Sequence, residues 1–555
     1  MSRFVSKSVG SWLIAIAVWC FATAPLARAQ ETRGTIQGKV TDTTNAAVPN
    51  ATVRATNSAT NITIESKSNS EGNYILPLLI PGHYDLAASA SGFKITSRKD
   101  VELRIHETLQ LDFSLEVGLV TERVEVSDQA PLIETGTANV GQVIDVRRIQ
   151  ELPIAYGSPY TLMYLLPGLS NAYPTGMLDQ EPTNLNATTT RMNVNGSPFG
   201  TTEFTIDGVP NTQTSNADYG VGMSNSPPAD MVQEFKLETA FDASVGHTSG
   251  TIVNLVLKSG SNQPHGTAYV FLRDPSWAAN TFFGNYFGQP RGDFTYKLWG
   301  TSLSGPIYIP KVYNGKNRTF FSYGYEGMHL NSIFQGTTLT VPDPKNFGGD
   351  FSNLLKLGPQ YQIYDPTTIQ ATGTGRFSIQ PFPGNIIPAN RINPIAMSIL
   401  KHYPAPNVTG LPDGTNNFAD QTTAEPLLYY NHLARLDHTI SDRQRLSGRV
   451  SISRKIDGPY RAYWDDIAVG NVYLGKTRQF SLDDVYTFSP SFFMDIRYGY
   501  TRYAGGHFPR RLGYDVSQLG FPSTVTSQLT QTAEIFPRIA ISGEQGLGSE
   551  SADVL

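Results

Sequence analysis

Along most of this chain apolar residues recur at every second position, in runs broken by Gly, Pro, Asn and Asp, a pattern that predicts strands and turns. Residues 34–115 divide into seven short runs, Thr35–Val40, Thr52–Thr56, Ile62–Lys67, Tyr74–Leu79, Tyr84–Ala88, Lys94–Val101 and Leu109–Leu115. That spacing predicts a seven-strand β-sandwich. The C-terminal half offers seven more runs, mostly longer: Thr267–Arg273, Phe294–Ser304, Thr319–Glu326, Tyr429–Ile440, Arg443–Arg454, Phe480–Phe488 and Phe492–Tyr503.

In the later of these runs the two faces differ in chemistry. Tyr430, Ala434, Leu436 and Ile440 oppose Asn431, Arg435, Asp437 and Thr439; Leu446, Gly448, Val450 and Ile452 oppose Arg445, Ser447, Arg449, Ser451 and Ser453; Met494, Ile496, Tyr498 and Tyr500 oppose Asp495, Arg497, Gly499 and Thr501. A soluble sandwich turns its apolar face inward. A membrane barrel with a wet lumen turns that face to lipid and its arginines to the lumen. The connections alternate as well, with Gly305–Arg318, Ser441–Asp442 and Ser489–Ser491 on one side, and the longer Pro275–Asp293, Met328–Glu425 and Ile456–Lys476 on the other. Short turns on one side and long loops on the other are the barrel asymmetry. Barrels with a plugged lumen use about 22 strands, and the ending Gly548–Leu555 has no aromatic-terminated strand. The expectation is therefore the N-terminal part of an incomplete barrel.

Between the two halves, Met192–Asn195 and Glu203–Ile206 flank a Gly/Pro turn, and Asp207-Gly208 supplies the positive-φ pair of a tight reversal. A small mixed sheet is expected here. Val146–Pro153 and Ser158–Gly168 show helical spacing, each stopped by Pro or Pro-Gly.

Composition narrows the class. The 555 residues include 50 Gly and 27 Tyr and only 16% charged residues, which suits a β-rich, turn-rich chain of several domains. Arg3 and Lys7 precede the apolar run Trp12–Ala24, and Ala27-Arg28-Ala29 forms a cleavage site with the cut between Ala29 and Gln30, so 1–29 reads as a secretory leader. Cys20 lies in that leader, so disulfides, a cysteine nucleophile and Cys-ligated zinc are excluded for the exported chain. Losing Arg3, Lys7 and Arg28 takes 42 basic residues to 39 against 47 acidic, a net −8 that does not invite nucleic acid. Apart from the leader, no apolar run approaches the length of a membrane helix. A membrane crossing would therefore need a closed barrel, in which every backbone polar group finds a partner.

Two resemblances follow from particular residues. Gly34–Asp42, Ala47–Val53, Gly72–Leu76, Pro81–Asp85 and Gly92-Phe93 resemble the carboxypeptidase regulatory-like domain, of the carbohydrate-binding-like fold group, over 31–116. The ordered residues Asn195-Gly196, Ile206-Asp207-Gly208-Val-Pro210, Val232–Thr239 and Gly250–Gly260 resemble the plug of Oar-like TonB-dependent outer-membrane receptors over 118–262. Tyr313–Phe321, Gly349–Ser352, Ile363–Pro366 and Pro381–Pro394 extend that likeness into a barrel portion over 263–555.

The second resemblance implies a location in the outer membrane of a Gram-negative-type bacterium, with contacts to outer-membrane lipid. It also implies a periplasmic TonB-type energy-transducing complex as partner, and import of an unidentified extracellular solute gated by the plug. A short strand before the plug would pair with that complex by β-augmentation. Glu122, Arg123, Val124, Glu125 and Val126 are the candidate; the first strand of the plug is the other reading of the same residues. Asn195, Gly196, Asp207, Gly208, Gly250, Lys258, Ser259 and Gly260 are read as structural plug positions. The first resemblance leaves an alternative, a surface protein whose sandwich binds a glycan. Tyr74, Tyr84 and Phe93 could stack on a sugar ring, or pack in the core as aromatics more often do.

Enzymatic readings find little to stand on. His106-Glu107 lacks the second histidine of a zinc protease, the required position being Gln110. Gly470–Thr477 spells a phosphate loop but leads into an alternating strand where the chemistry requires a helix. Arg291-Gly-Asp293 is a tripeptide that chance supplies in an exposed loop, and Asp413, Asn416, Asn417 and Asp420 depart from calcium-loop spacing. No catalytic residue, metal site or cofactor is expected, and a secreted hydrolase is the least favoured class.

Overall fold

The computed structural model describes residues 32–118, 123–125, 140–152, 154, 157–171, 192–198, 201–216, 220–240, 250–280, 282–286, 291, 294–332, 338–373, 375–420, 425–460, 463–489, 492–510, 513–529 and 534–548. The expected leader and its cleavage residues Ala29 and Gln30 lie outside the described residues.

The N-terminal strands are β1 (Gly34–Asp42), β2 (Thr52–Asn57), β3 (Thr63–Lys67), β4 (Asn73–Leu79), β5 (Gly82–Ser89), β6 (Ile95–Leu103), β7 (Thr108–Gln110), β8 (Phe113–Leu115) and β9 (Arg123–Glu125). They form two sheets. One joins β4, β1, β7 and β8, the last two pairing with β1 in parallel; the other runs β3-β2-β5-β6-β9. Alternate residues from both sheets, among them Ile36, Val53, Leu76, Leu86, Leu103 and Phe113, meet in one core. The strand expected over Leu109–Leu115 is split in two. At the break the Leu111 N–H donates to Gln37 O, and a Cβ on Gly38 would lie 2.0 Å from Leu111 O. Only glycine admits so close a backbone approach.

The middle module holds β10 (Val140–Ile144), helix α1 (Val146–Glu151), β11 (Thr202–Ile206), β12 (Val209–Pro210), β13 (Val232–Ala240) and β14 (Thr251–Leu257). Asp145 caps α1 by accepting from the Arg148 N–H. The strands form the expected mixed sheet, in the order β10-β13-β14-β11-β12 with β11 parallel to β14. One expectation is corrected. Met192–Val194 does not join this sheet but pairs antiparallel with Leu169–Asn171, a pairing that the Asn195 N–H extends by donating to Gly168 O at 2.8 Å. A 3-10 helix at Pro159–Leu165 inserts Tyr160, fully buried, edge-on against Phe204 at 5.6 Å.

The C-terminal half is a single antiparallel sheet of seven strands in chain order: β15 (His265–Arg273), β16 (Phe294–Pro306), β17 (Thr319–Ser332), β18 (Glu425–Ser441), β19 (Gln444–Tyr460), β20 (Asn471–Ser489) and β21 (Phe492–Pro509). Each predicted run lies inside one of them, except that Arg443 falls in the turn before β19. The sheet is open among the described residues, and its concave face receives the middle module; Leu433 of β18 belongs to that module's apolar core. The outer face carries Val450, Ile496 and Tyr498 at 45%, 51% and 60% exposure, whereas the Arg449 and Arg497 side chains are 2% and 4% exposed. The expected orientation is found. An apolar outer face over an arginine-bearing inner one is stable when hydrocarbon replaces water outside.

The long connections have a core of their own. Tyr403 and Phe418 from one connection, Trp464 from another, and Tyr514 and Phe536 from the segment after β21 pack with Val341, Leu519 and Leu547. They form a folded body beyond the strand ends opposite the N-terminal module.

Candidate functional site

The site lies where the middle module meets the inner wall. Asp207 and Gly208 have φ of 49° and 73°, the left-handed pair that lets β11 reverse into β12. The reversal fixes the Asp207 carboxylate. Its Oδ1 accepts from the Leu257 N–H at 3.0 Å and from Arg435 Nη1 at 3.2 Å, and its Oδ2 lies 3.8 Å from Arg449 Nε. Arg435 is held in turn by Asp437 through Nε at 2.9 Å, and Asp437 Oδ2 accepts from Ser259 Oγ at 2.7 Å. Arg449 also donates to Ile206 O at 3.3 Å, leaving its buried Nη1 without a hydrogen-bond partner. Two guanidiniums and two carboxylates thus lock turn and wall together. Buried charge pairs gain little net stability because desolvation offsets attraction, but they fix one arrangement against others.

Higher on the wall the contacts become neutral. Asn225 donates to Ser451 Oγ at 2.8 Å and accepts from Asn431 Nδ2 at 3.2 Å. Asn431 donates to Ser226 O at 2.8 Å, Gln479 to Asn211 Oδ1 at 2.7 Å, and Thr477 to Ser224 O at 2.6 Å. Asn211 completes the chain by donating to Asn225 O at 2.7 Å. All four amides are buried. Their bonds exchange for water at about 1 kcal/mol each, so this part of the seam holds the module without gluing it.

Lys258, Ser259 and Gly260 join module to wall. The Lys258 N–H donates to Met231 O, its carbonyl accepts from Ser322 Oγ at 3.0 Å, and its ammonium lies 3.6 Å from Asp230, which itself bonds Ser302 of β16. Burial pulls the Lys258 ammonium below its ordinary value, with Asp230 opposing. A Cβ at Gly260 would sit 2.5 Å from Phe321 O and 2.9 Å from Gly305 O, and one at Gly250 would sit 2.2 Å from Thr201 Oγ1. Asn195 and Gly196, at φ of 51° and 77°, turn the Met192–Val194 strand instead and touch none of this network.

The N-terminal module is clasped to the same assembly. Its Arg33 pairs with Asp495 at 2.7 Å and Asp483 at 3.1 Å, while Arg445 of β19 donates to Leu78 O at 3.1 Å. A cavity of about 560 Å³ remains among the three modules, lined by His83 and Asp100 from the first, Gln233 from the second and Arg445 from the wall. On the outward-turned face of β13, Glu234 accepts from the Ile105 N–H at 2.5 Å, and Glu238 meets His106 Nδ1 at 3.1 Å. Burial pushes Glu234 up to about 7. It pushes Glu238 the same way, but His106 and Lys236 outweigh it and hold that carboxyl below its usual range.

Other expected residues are placed as follows. Glu122 and Val126 lie outside the described residues, and Arg123–Glu125 is β9, added in parallel to β6 with Thr96 opposite Val124. This segment is an edge strand of the N-terminal sheet and does not pair with the middle sheet. The stacking role considered for Tyr74 and Tyr84 is corrected: they are 4% and 3% exposed, and their hydroxyls donate to Leu111 O and Ile80 O. Phe93 is partly buried against the same core. Gly470–Thr477 runs into β20, which excludes a phosphate-loop helix. Asp413 caps its own turn through Thr415, and among the described residues no group of three or more His, Cys, Asp or Glu is placed to hold a metal.

An inward-polar, outward-apolar antiparallel sheet wrapped on an internal module defines the class, and residues 256–554 match the family model of the outer membrane beta barrel domain. The chain belongs to that family. Residues 35–116 match the carboxypeptidase regulatory-like domain. The TonB-dependent transporter Oar of Myxococcus xanthus is 26% identical over 263 residues, 44% of this chain and 22% of Oar. The matched region thus spans less than a quarter of that relative's length. The outer membrane transporter YddB of Escherichia coli is similar at 10% identity and a TM-score of 0.42, covering 66% of this chain and 39% of YddB. The siderophore receptor PirA of Acinetobacter baumannii shares 14% identity at a TM-score of 0.36, covering 68% of this chain and 41% of PirA.

Sequence reasoning missed the partners. Arg435 and Arg449 are legible as inward-facing residues, but nothing in their spacing selects Asp207. Asn211, Asn225 and the β13 glutamates carry no motif at all.

Proposed function

We propose that this chain serves a TonB-dependent outer-membrane receptor that imports a scarce extracellular solute, with 118–262 as its plug and 263–555 as its barrel portion. The observation that carries this reading is the seam. One ionic anchor at Asp207 fixes the resting position of the middle module, and a ladder of neutral amides lines its contact with the wall above that anchor. A module held through polar groups can be shifted and rehydrated; one held by apolar packing would expose that surface at about 25 cal/mol per Å².

The pull would come from a periplasmic TonB-type complex engaging Glu122–Val126 by strand addition. The N-terminal module then acts as a clasp on the plug, not as a glycan-binding unit, since Tyr74 and Tyr84 have no free face. The test is deletion of Glu122–Val126 in the intact gene. Outer-membrane insertion should persist while energised uptake is lost. Uptake at the native rate would remove this segment from the mechanism.

A further inference from the structure

The outer face of the sheet carries a basic cluster that the internal seam does not use. Register places Tyr430, Arg454, Lys476 and Ala504 in one lateral row across β18 to β21, and His432, Ile452, Arg478 and Arg502 in the next. Arg454, Lys476, Arg478 and Arg502 share the parity of the lipid-facing residues Val450, Phe480 and Tyr500, and all four are exposed. None of them forms an ion pair with a described residue. In these two rows and the three that flank them, the outward positions hold no Asp or Glu. With strands about 4.8 Å apart and same-face residues about 7 Å apart, the four cations fall in a patch roughly 10 Å by 7 Å.

Their height on the wall is informative. At the turn end, Phe488 stacks on Phe492 at 4.9 Å and Tyr486 lies 4.5 Å from Phe488, a girdle of rings on the outer face. From Phe488 to Arg478 is a run of ten residues along β20, which at about 3.3 Å each and a tilt of about 40° rises roughly 25 Å, the height of a barrel's apolar band. The two rows next to the cations are apolar, with Leu482, Tyr498, Phe480 and Tyr500 outward, and the one acid between the cations and the girdle on β20, Asp484, sits nearer the girdle and accepts from Gln444 Nε2 at 3.1 Å. The cations therefore sit at the far interface, on the side of the long loops. One long cation there can be explained by a stem that reaches out to water. Four together, with no acid among them, repel one another unless an anion lies between.

We propose that this patch is a docking site for an outer-leaflet lipid whose headgroup carries more than one phosphate, its acyl chains lying along Phe480, Leu482, Tyr498 and Tyr500. Charge and position both select it. A phosphate there meets two or more cations at once, and the patch continues directly into the acyl-facing band. The assignment rests on the outer-membrane placement of the sheet and is independent of what the receptor imports.

The test uses the full-length protein purified in zwitterionic detergent and titrated with lipid A, an acylated disaccharide bearing two phosphates, with thermal midpoint and bound phosphorus as readouts. The native protein should bind lipid A and rise in midpoint, and R454Q/K476Q/R478Q/R502Q should bind more than about a hundredfold more weakly, roughly fivefold per charge. Should that variant fail to fold, the native protein still decides. Its affinity for lipid A must fall as salt is added, and it must exceed that for phosphatidylglycerol and for inorganic pyrophosphate. Salt-insensitive binding, equal binding of either comparison anion, or undiminished binding by the fourfold variant would overturn the proposal.

Discussion

Glu234 of the middle sheet accepts the main-chain N–H of Ile105 in the N-terminal module at 2.5 Å. Two separately folded units are thereby joined through a carboxyl that burial has pushed up to about 7. An acid whose docked pKa is raised binds more protons docked than free, so docking strengthens as pH falls from about 7 toward the ordinary carboxylate range and levels off above it. Glu238, held below the usual range by His106 and Lys236, acts oppositely at lower pH, as those pairings are lost.

The first prediction isolates Glu234 from its neighbours. Protease cleavage between the N-terminal and middle modules should rise with pH across that window in the native protein. Glu234→Gln, which imitates the protonated carboxyl, should flatten the profile without unfolding either module. A native-like slope in the variant would show that another group sets the dependence.

Arg435 sits between Asp207 and Asp437 with its side chain 8% exposed. Arg435→Ala strands both acids in a buried setting, and breaking such a pair costs about 3–5 kcal/mol. Asp207→Asn should cost much less, because an amide oxygen still accepts the Leu257 N–H. The expected order in thermal midpoint is native, then Asp207→Asn, then Arg435→Ala. The reverse order would place the turn's stability in the Asp207 charge itself.

How much of this was readable in the sequence depends on whether a residue's role is periodic. Val450, Ile496, Arg445 and Arg497 were legible because a strand's parity assigns their face, and parity depends on nearest neighbours alone. Asp207-Gly208 was legible as a turn because φ above zero restricts residue type locally. That Asp207 meets Arg435 was not, since the two are brought together by the closure of two modules. The split of Leu109–Leu115 escaped because alternation continues through the break, and only the approach of Gly38 reveals it. Tyr74 and Tyr84 look the same in sequence whether their rings face a sugar or a core.

Gly260 provides a steric test of how closely the module is tied to the wall. A methyl there would lie 2.5 Å from Phe321 O and 2.9 Å from Gly305 O, both backbone atoms of the sheet. Neither can swing aside as a side chain would. Gly260→Ala should therefore force β16 and β17 apart, lowering outer-membrane yield and exposing the linker to protease. Gly196→Ala, at a turn where an added Cβ meets nothing within 4 Å, should show only the cost of its positive φ, on the order of 1 kcal/mol. Equal losses in the two variants would mean that backbone strain, not the wall, governs both.

Asn225 tests whether the neutral seam is meant to part. Its amide bonds Ser451 and Asn431 on the wall, and its carbonyl accepts from Asn211. Asn225→Ala leaves the Asn431 and Ser451 groups short of a partner, at about 1–3 kcal/mol, and should loosen the module: faster hydrogen exchange along β13 and β14, with the sheet unaltered. Replacing both sides with apolar residues of similar size, Asn225→Leu with Asn431→Leu, should recover part of the exchange protection, because the two amides are removed together and the Ser451 hydroxyl is the group left without its partners. The same double variant should then transport more slowly than either the native protein or Asn225→Ala, since displacing the module would now expose hydrocarbon to water. Native uptake by the double variant would separate transport from movement of this seam.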